Sequence, residues 1–214
     1  MKSAKYAILP VFLFLFLAVR PATAQFSGPE LKPVDNYNTA LLHLPRNAQV
    51  AIIVFEDLQC PDCAHANPLL REAAEQFGIP LVRRDFPLPK HAWAFAAAVD
   101  ARWFDTKSPA VGDSFRNAVM ANQAIIHSIE DLRTFAAQFA RQNDLQLPAA
   151  VDPQGTLAAQ VQADVDLGHN IGLIHTPTVW VVSSKSSGAP FVELVGRTAL
   201  FERIKAAQAE SAAK

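Results

Sequence analysis

The sequence predicts an α/β fold: a central mixed β-sheet flanked by helices and interrupted by an all-helical insertion. Three observations carry this reading. Two short apolar runs, starting at Val50 and Ile79, enclose one helical stretch; roughly 80 residues of helical periodicity follow; two more strands and a helix close the chain. With 214 residues, half of them hydrophobic and 18% charged, the chain can bury one sizeable core and is not a disordered polymer. A net charge of −1 argues against a nucleic-acid partner, which would call for a basic excess. Two cysteines exclude a disulfide-rich scaffold and a four-thiolate metal site.

The first 24 residues differ from the rest. Lys2 and Lys5 precede an uncharged apolar run from Tyr6 to Val19, and Ala22-Thr23-Ala24 supplies small residues for cleavage. A basic start, an apolar run of about 14 residues and an A-x-A ending make residues 1–24 a secretory signal peptide. An uncleaved anchor is the competing reading, although the run is shorter than the roughly 20 residues that span a bilayer comfortably. Removing this segment takes three basic residues and no acid, leaving a charge of −4. The expected location is periplasmic or extracytoplasmic, an oxidising place where paired cysteines are oxidised or redox-active.

Residues 25–47, rich in Pro, Asn and polar residues, form a lead-in. Val50 to Phe55 is a continuous β-branched run, as in a strand buried on both faces. After the Cys60-Pro61-Asp62-Cys63 motif, Leu69, Leu70, Ala73, Ala74 and Phe77 recur at helical spacing, with Gly78 as a natural stop. Ile79 to Arg83 is a second strand, which the βαβ arrangement makes parallel to the first. Helices are then expected over His91–Phe104, Pro109–Gln123, from Ser128 through Arg141, and from Pro153 to about Gly172. Thr178–Val182 and Phe191–Val195 form a hairpin, and Thr198–Ala209 is a final helix with Leu200, Ile204 and Phe201 facing inward.

Cys60 and Cys63 lie where a strand gives way to a helix. Free N–H groups and the macrodipole at a helix N-terminus stabilise a thiolate, which makes Cys60 the nucleophile. Cys63, one turn on, is placed to resolve a mixed disulfide on Cys60. A structural bridge is the plain alternative, although a four-residue loop stabilises by only about 2 kcal/mol. A metal site would need ligands beyond His65, and Ala64 stands where a c-type haem motif needs His.

The stretch Phe55-Glu56-Asp57-Leu58-Gln59-Cys60-Pro61-Asp62-Cys63 and, after the insertion, His175-Thr176-Pro177-Thr178-Val179-Trp180 resemble the DsbA-like branch of the thioredoxin superfamily. The helix His91–Asp100 and the segment Asp164–Ile174 are also similar, so the resemblance covers nearly all of the chain beyond residue 24. It implies a thioredoxin-like domain of residues 25–89 and 173–214 with residues 90–172 inserted. It further implies an exposed nucleophile at Cys60, a buried resolving thiol at Cys63, and a cis-proline at Pro177 facing them. Thr176 would offer its backbone to an extended substrate strand. The implied activity is a protein thiol–disulfide oxidoreductase, with exported cysteine-containing proteins as substrates and a quinone-linked membrane partner that re-oxidises the pair. No cofactor beyond the Cys60–Cys63 disulfide, no metal and a monomeric chain are expected.

Two positions depart from the family pattern. Strong oxidases of this branch carry His where this chain has Asp62, and a carboxylate there should disfavour the neighbouring thiolate and weaken the oxidant. The alternative is that Asp62 points to solvent. Many relatives also have a buried acid six residues before the nucleophile; here that residue is Val54, leaving Glu56 or solvent to take the proton. His175, where relatives often have Gly, either sits near the thiolate or lies on a surface loop. A non-enzymatic binding or chaperone-like protein with a static Cys60–Cys63 bridge is the reading from another class. A glutathione-using transferase fits less well, since those enzymes are usually not exported and need no second cysteine.

Overall fold

The computed structural model describes residues 39–185, 190–192 and 196–213. The expected signal segment 1–24, most of the lead-in, and residues 193–195 of the expected last strand lie outside them. Strands β1 (Val50–Glu56), β2 (Leu81–Asp85), β3 (Thr178–Ser183) and β4 (Pro190–Val192) form one sheet in the order β2-β1-β3-β4. β1 runs parallel to β2 and antiparallel to β3, which pairs antiparallel with β4, so the sheet is mixed as predicted. The helices are α1 (Pro61–Phe77), α2 (Ala94–Asp105), α3 (Pro109–Ala121), α4 (Ile129–Gln142), α5 (Thr156–Ile171) and α6 (Arg197–Ala212).

Every residue of β1 is buried. Ile52 and Val54 pack with Leu70 and Ala73 of α1 and with Leu200 and Ile204 of α6. Ile53 and Phe55, on the other face, meet Phe86, Ile171 and Trp180. Both faces are covered, and for that reason the strand reads as an unbroken apolar run rather than an alternation. Gly78 closes α1 with φ of 60°, a conformation that costs glycine no side-chain clash. Gly168 of α5 has a different reason to be glycine: a Cβ there would lie 2.5 Å from the Phe86 ring.

Boundaries moved where side chains intervene. β2 starts two residues later than expected and runs on to Arg84 and Asp85, because opposite charges meet them. The helix expected from His91 starts at Ala94, since residues 88–91 form a turn with His91 N–H on the Leu88 carbonyl. The helix expected from Pro153 starts at Thr156: Gly155 takes φ of 71°, and the Asp152 carboxylate accepts from Ala158 N–H at 2.8 Å. The Ser128 cap forms as read, its Oγ accepting from Asp131 N–H at 3.1 Å; the Asp131 carboxylate, in return, takes the His127 N–H at 2.9 Å.

The helical block is fastened to the sheet by buried charge. Arg102 of α2 donates through Nε to Asp85 of β2 at 2.5 Å and through a second nitrogen to Asp164 of α5. Asp164 also takes Arg84 at 2.9 Å and the Asp85 N–H at 3.1 Å. Arg83 bonds to Glu56 at 3.0 Å, to Asn117 of α3 at 3.0 Å and to Asn67 of α1. A second apolar core lies within the helical block, where Phe104, Phe115 and Phe139 pack ring to ring.

Arg102→Leu should strip Asp85 of its ion-pair partner and leave Asp164 with Arg84 alone, and urea unfolding should register a loss of about 3–5 kcal/mol. Asp100, buried in α2, provides a second test, because burial pushes its carboxyl up to about 7 against partial opposition from Arg133. Its ordinary value is about 3.9, so the folded state holds this proton more tightly than the unfolded state. The group therefore contributes most below about pH 4, and its contribution is lost as pH rises to about 7. Asp100→Asn should melt above the parent at pH 8, with the gap closing as the pH falls to 5.

Candidate active site

Cys60 is the residue just before α1, with extended backbone (φ −75°, ψ 122°), and Pro61 occupies the first helical position. Its N–H donates to the Asp57 carbonyl at 3.0 Å, and its carbonyl accepts from Ala64 N–H at 3.1 Å. The turn from Asp57 to Cys60 thus hands the chain from β1 into the helix. Both cysteines are carried as thiols.

The two thiols are unequal. Cys60 is lowered to about 6, chiefly by a hydrogen bond from Cys63, with help from Thr176 and from the N–H groups of Asp62 and Cys63, against the cost of burial. Cys63 is pushed well above the ordinary thiol value by burial and by Cys60, while the Asp57 N–H, 3.4 Å from its sulfur, acts in the opposite direction. The Thr176–Pro177 peptide is cis, and the Thr176 carbonyl accepts from the Cys60 thiol at 3.4 Å. The Thr176 hydroxyl is buried with no other partner, so it is free to donate to the sulfur once the thiol ionises.

One expectation needs correction. Cys60 is not exposed: it is 5% accessible and belongs to the buried apolar cluster of the helical block. Asp62 is exposed, the second of the two arrangements considered for it, and its backbone N–H is among the groups that lower Cys60. Val54 is buried and apolar as read. Glu56 is 3% exposed, ion-paired with Arg83, and raised by burial; its charge also raises Cys63. His175, just before Thr176, is half-buried. Trp93, Trp103 and Trp180 are buried, as core residues should be.

Four site residues escaped the sequence reading as individuals. Asp57 and Gln59 lie within the quoted motif, yet nothing local announces their partners. Gln59 Oε1 accepts from Trp93 N–H at 2.8 Å. Gln123, in a short 3-10 turn after α3, donates to the Leu58 and Cys60 carbonyls at 2.8 and 3.0 Å. The Asp57 carboxylate receives His91 Nδ1 at 2.7 Å, across 34 residues. The motif loop is therefore clamped from the helical block. No cluster of His, Cys, Asp or Glu fit to hold a metal occurs among the described residues, and none of their helices is long and apolar enough to cross a membrane.

A thiol pair at a helix N-terminus, facing a cis-proline from a mixed sheet, is the arrangement of a thioredoxin-type fold. The comparisons agree: residues 45–194 match the family described as Thioredoxin, and the chain belongs to that family. Its fold is shared by a periplasmic thioredoxin-like protein of Salmonella enterica serovar Typhimurium, at TM-score 0.62 and 15% identity over 78% of this chain and 88% of that one. The catalytic domain of Proteus mirabilis ScsC gives 0.62 and 17% over 81% and 93%. Pseudomonas aeruginosa DsbA2 gives 0.57 and 19% over 80% and 95%. In sequence the chain is 29% identical over 155 residues to the Na(+)/H(+) antiporter NhaA 1 of Salinispora arenicola, covering 70% of this chain and only 22% of the antiporter.

Alkylation of the reduced protein by iodoacetamide should follow one ionisation with a midpoint near the lowered value of about 6, all of it on Cys60, with Cys63 unreacted. Asp62→Asn should move that midpoint by less than about half a unit, as expected of a solvent-screened charge.

Proposed function

We propose that this chain is an exported thiol–disulfide oxidoreductase that exchanges disulfides with cysteines of other extracytoplasmic proteins, working as an oxidase of moderate strength. The observation that carries the reading is the asymmetry of the pair: Cys60 lowered to about 6 and Cys63 raised. In the oxidised form, a substrate thiolate attacks the Cys60 sulfur, and Cys63 leaves as a thiolate and takes a proton. A second substrate thiolate then attacks the substrate sulfur of the mixed disulfide, and Cys60 departs as a stabilised thiolate. The substrate loses two electrons and two protons in forming its disulfide; the Cys60–Cys63 pair gains the electrons, and a membrane partner that accepts them restores it.

Thr176 and Pro177 supply the wall against which a substrate strand would lie. The Thr176 carbonyl already serves Cys60, which leaves its N–H as the group for the substrate backbone. Direction follows from thiolate stability, since the more the Cys60 thiolate is favoured, the more oxidising the disulfide becomes. A value of about 6 lies between about 3.5 for DsbA and about 7 for thioredoxin. Export is supported by residues 1–24 and by the periplasmic origin of the Salmonella protein that shares the fold. No cofactor enters the cycle, and the chain acts as a monomer.

The burial of Cys60 is the one observation that favours a static bridge instead. Equilibration in glutathione buffers, with Cys63→Ser as control, separates the two readings. An oxidase of moderate strength should give a potential between about −270 and −120 mV, whereas a value below about −300 mV would establish the static pair.

A further inference from the structure

Asp57 is the most heavily engaged side chain at the site. Its carboxylate is wholly buried and receives three donors at 2.7 Å: His91 Nδ1 and Leu88 N–H on Oδ2, and Gln59 N–H on Oδ1. Its own N–H points the other way, to the Cys63 sulfur at 3.4 Å, and its carbonyl accepts from Cys60 N–H. One residue thus reaches the resolving thiol through its amide and the helical block through its side chain. A backbone amide is a well-aimed donor only if the torsions beside it are fixed, and a carboxylate held at three points fixes them. His91 is itself anchored, its N–H on the Leu88 carbonyl.

We propose that Asp57 and His91 are a positioning pair for the resolving thiol: His91 holds the Asp57 carboxylate, and the carboxylate holds the Asp57 N–H on Cys63 whenever that sulfur carries negative charge. This rests on reading Cys60–Cys63 as an exchanging pair. Cys63 bears charge both when it leaves and when it attacks, and the groups facing it are otherwise adverse. Burial and the charges of Cys60 and Glu56 all oppose its ionisation, so the Asp57 N–H is the donor working in its favour. The arrangement also gives a histidine in the helical block a purpose that its spacing does not reveal.

The step can be isolated in the reduced full-length protein with 5,5′-dithiobis(2-nitrobenzoate). The Cys60 thiolate takes one aryl-thiol group, forming a mixed disulfide and releasing one coloured arylthiolate. The Cys63 thiolate, its proton given to buffer, then attacks the Cys60 sulfur; the Cys60–Cys63 bond forms and a second arylthiolate leaves. The second release reads the resolving step alone.

His91→Leu should slow the second release about tenfold and move its pH midpoint up by about one unit, with the first release changed less than about twofold. His91→Asn, whose side-chain amide can donate near the position of Nδ1, should recover most of the loss. If His91→Leu does not fold, as judged by near-ultraviolet circular dichroism, Asp57→Asn should show the same selective slowing. An unchanged second release in a folded His91→Leu or Asp57→Asn variant would overturn the inference, as would equal slowing of both releases without recovery in His91→Asn. A single release from the parent protein would instead overturn the exchanging-pair reading itself.

Discussion

The end of β2 carries three consecutive charges, Arg83, Arg84 and Asp85, on a strand that pairs with β1 alone among the described residues. Charges so placed must find partners or remain in water: Arg102 of α2 pairs with Asp85, Asp164 of α5 pairs with Arg84, and Arg83 pairs with Glu56 of β1 while donating to Asn117 of α3. The position of the helical block follows from this requirement. Apolar packing alone is non-directional and would allow the block to slide. Bidentate contacts from Arg102 to carboxylates on two different elements do not.

Once the block is fixed, the chemistry of the motif loop follows. His91, Trp93 and Gln123 all reach residues 57–60 from it, so the insertion forms a wall of the site. The helix N-terminus alone would favour a thiolate at Cys60. The wall adds apolar neighbours that bury both sulfurs, which works against ionisation at each. At Cys60 the hydrogen bonds outweigh burial, and at Cys63 they do not. One thiol thus ionises readily and its neighbour reluctantly, although only two residues separate them.

Much of the fold was legible because it is written in local periodicity. The run Val50–Phe55, the helical spacing of Leu70 and Ala73, the Gly78 stop and the Ser128 cap are each signals contained in a few residues. The cysteine motif was legible for the same reason. What escaped depends on contacts between distant segments. The burial of Cys60 arises in a cluster assembled largely from the helical block. The link from Asp57 to His91 spans 34 residues, and neither residue type nor spacing marks it beforehand. Starts of helices were misplaced wherever a turn, as at residues 88–91, already used the backbone groups a helix would have needed.

The clamps on the motif loop are unevenly distributed along the insertion. All of them come from the stretch ending at Gln123, and the largely exposed connection of residues 143–155 makes none. The insertion is therefore two regions under different constraint. Its first half must keep its length and register, because a one-residue slip there would withdraw donors from the sulfurs. The connection between α4 and α5 is free of that demand, and it is there that this scaffold can lengthen, shorten or accept a graft without retuning its thiols.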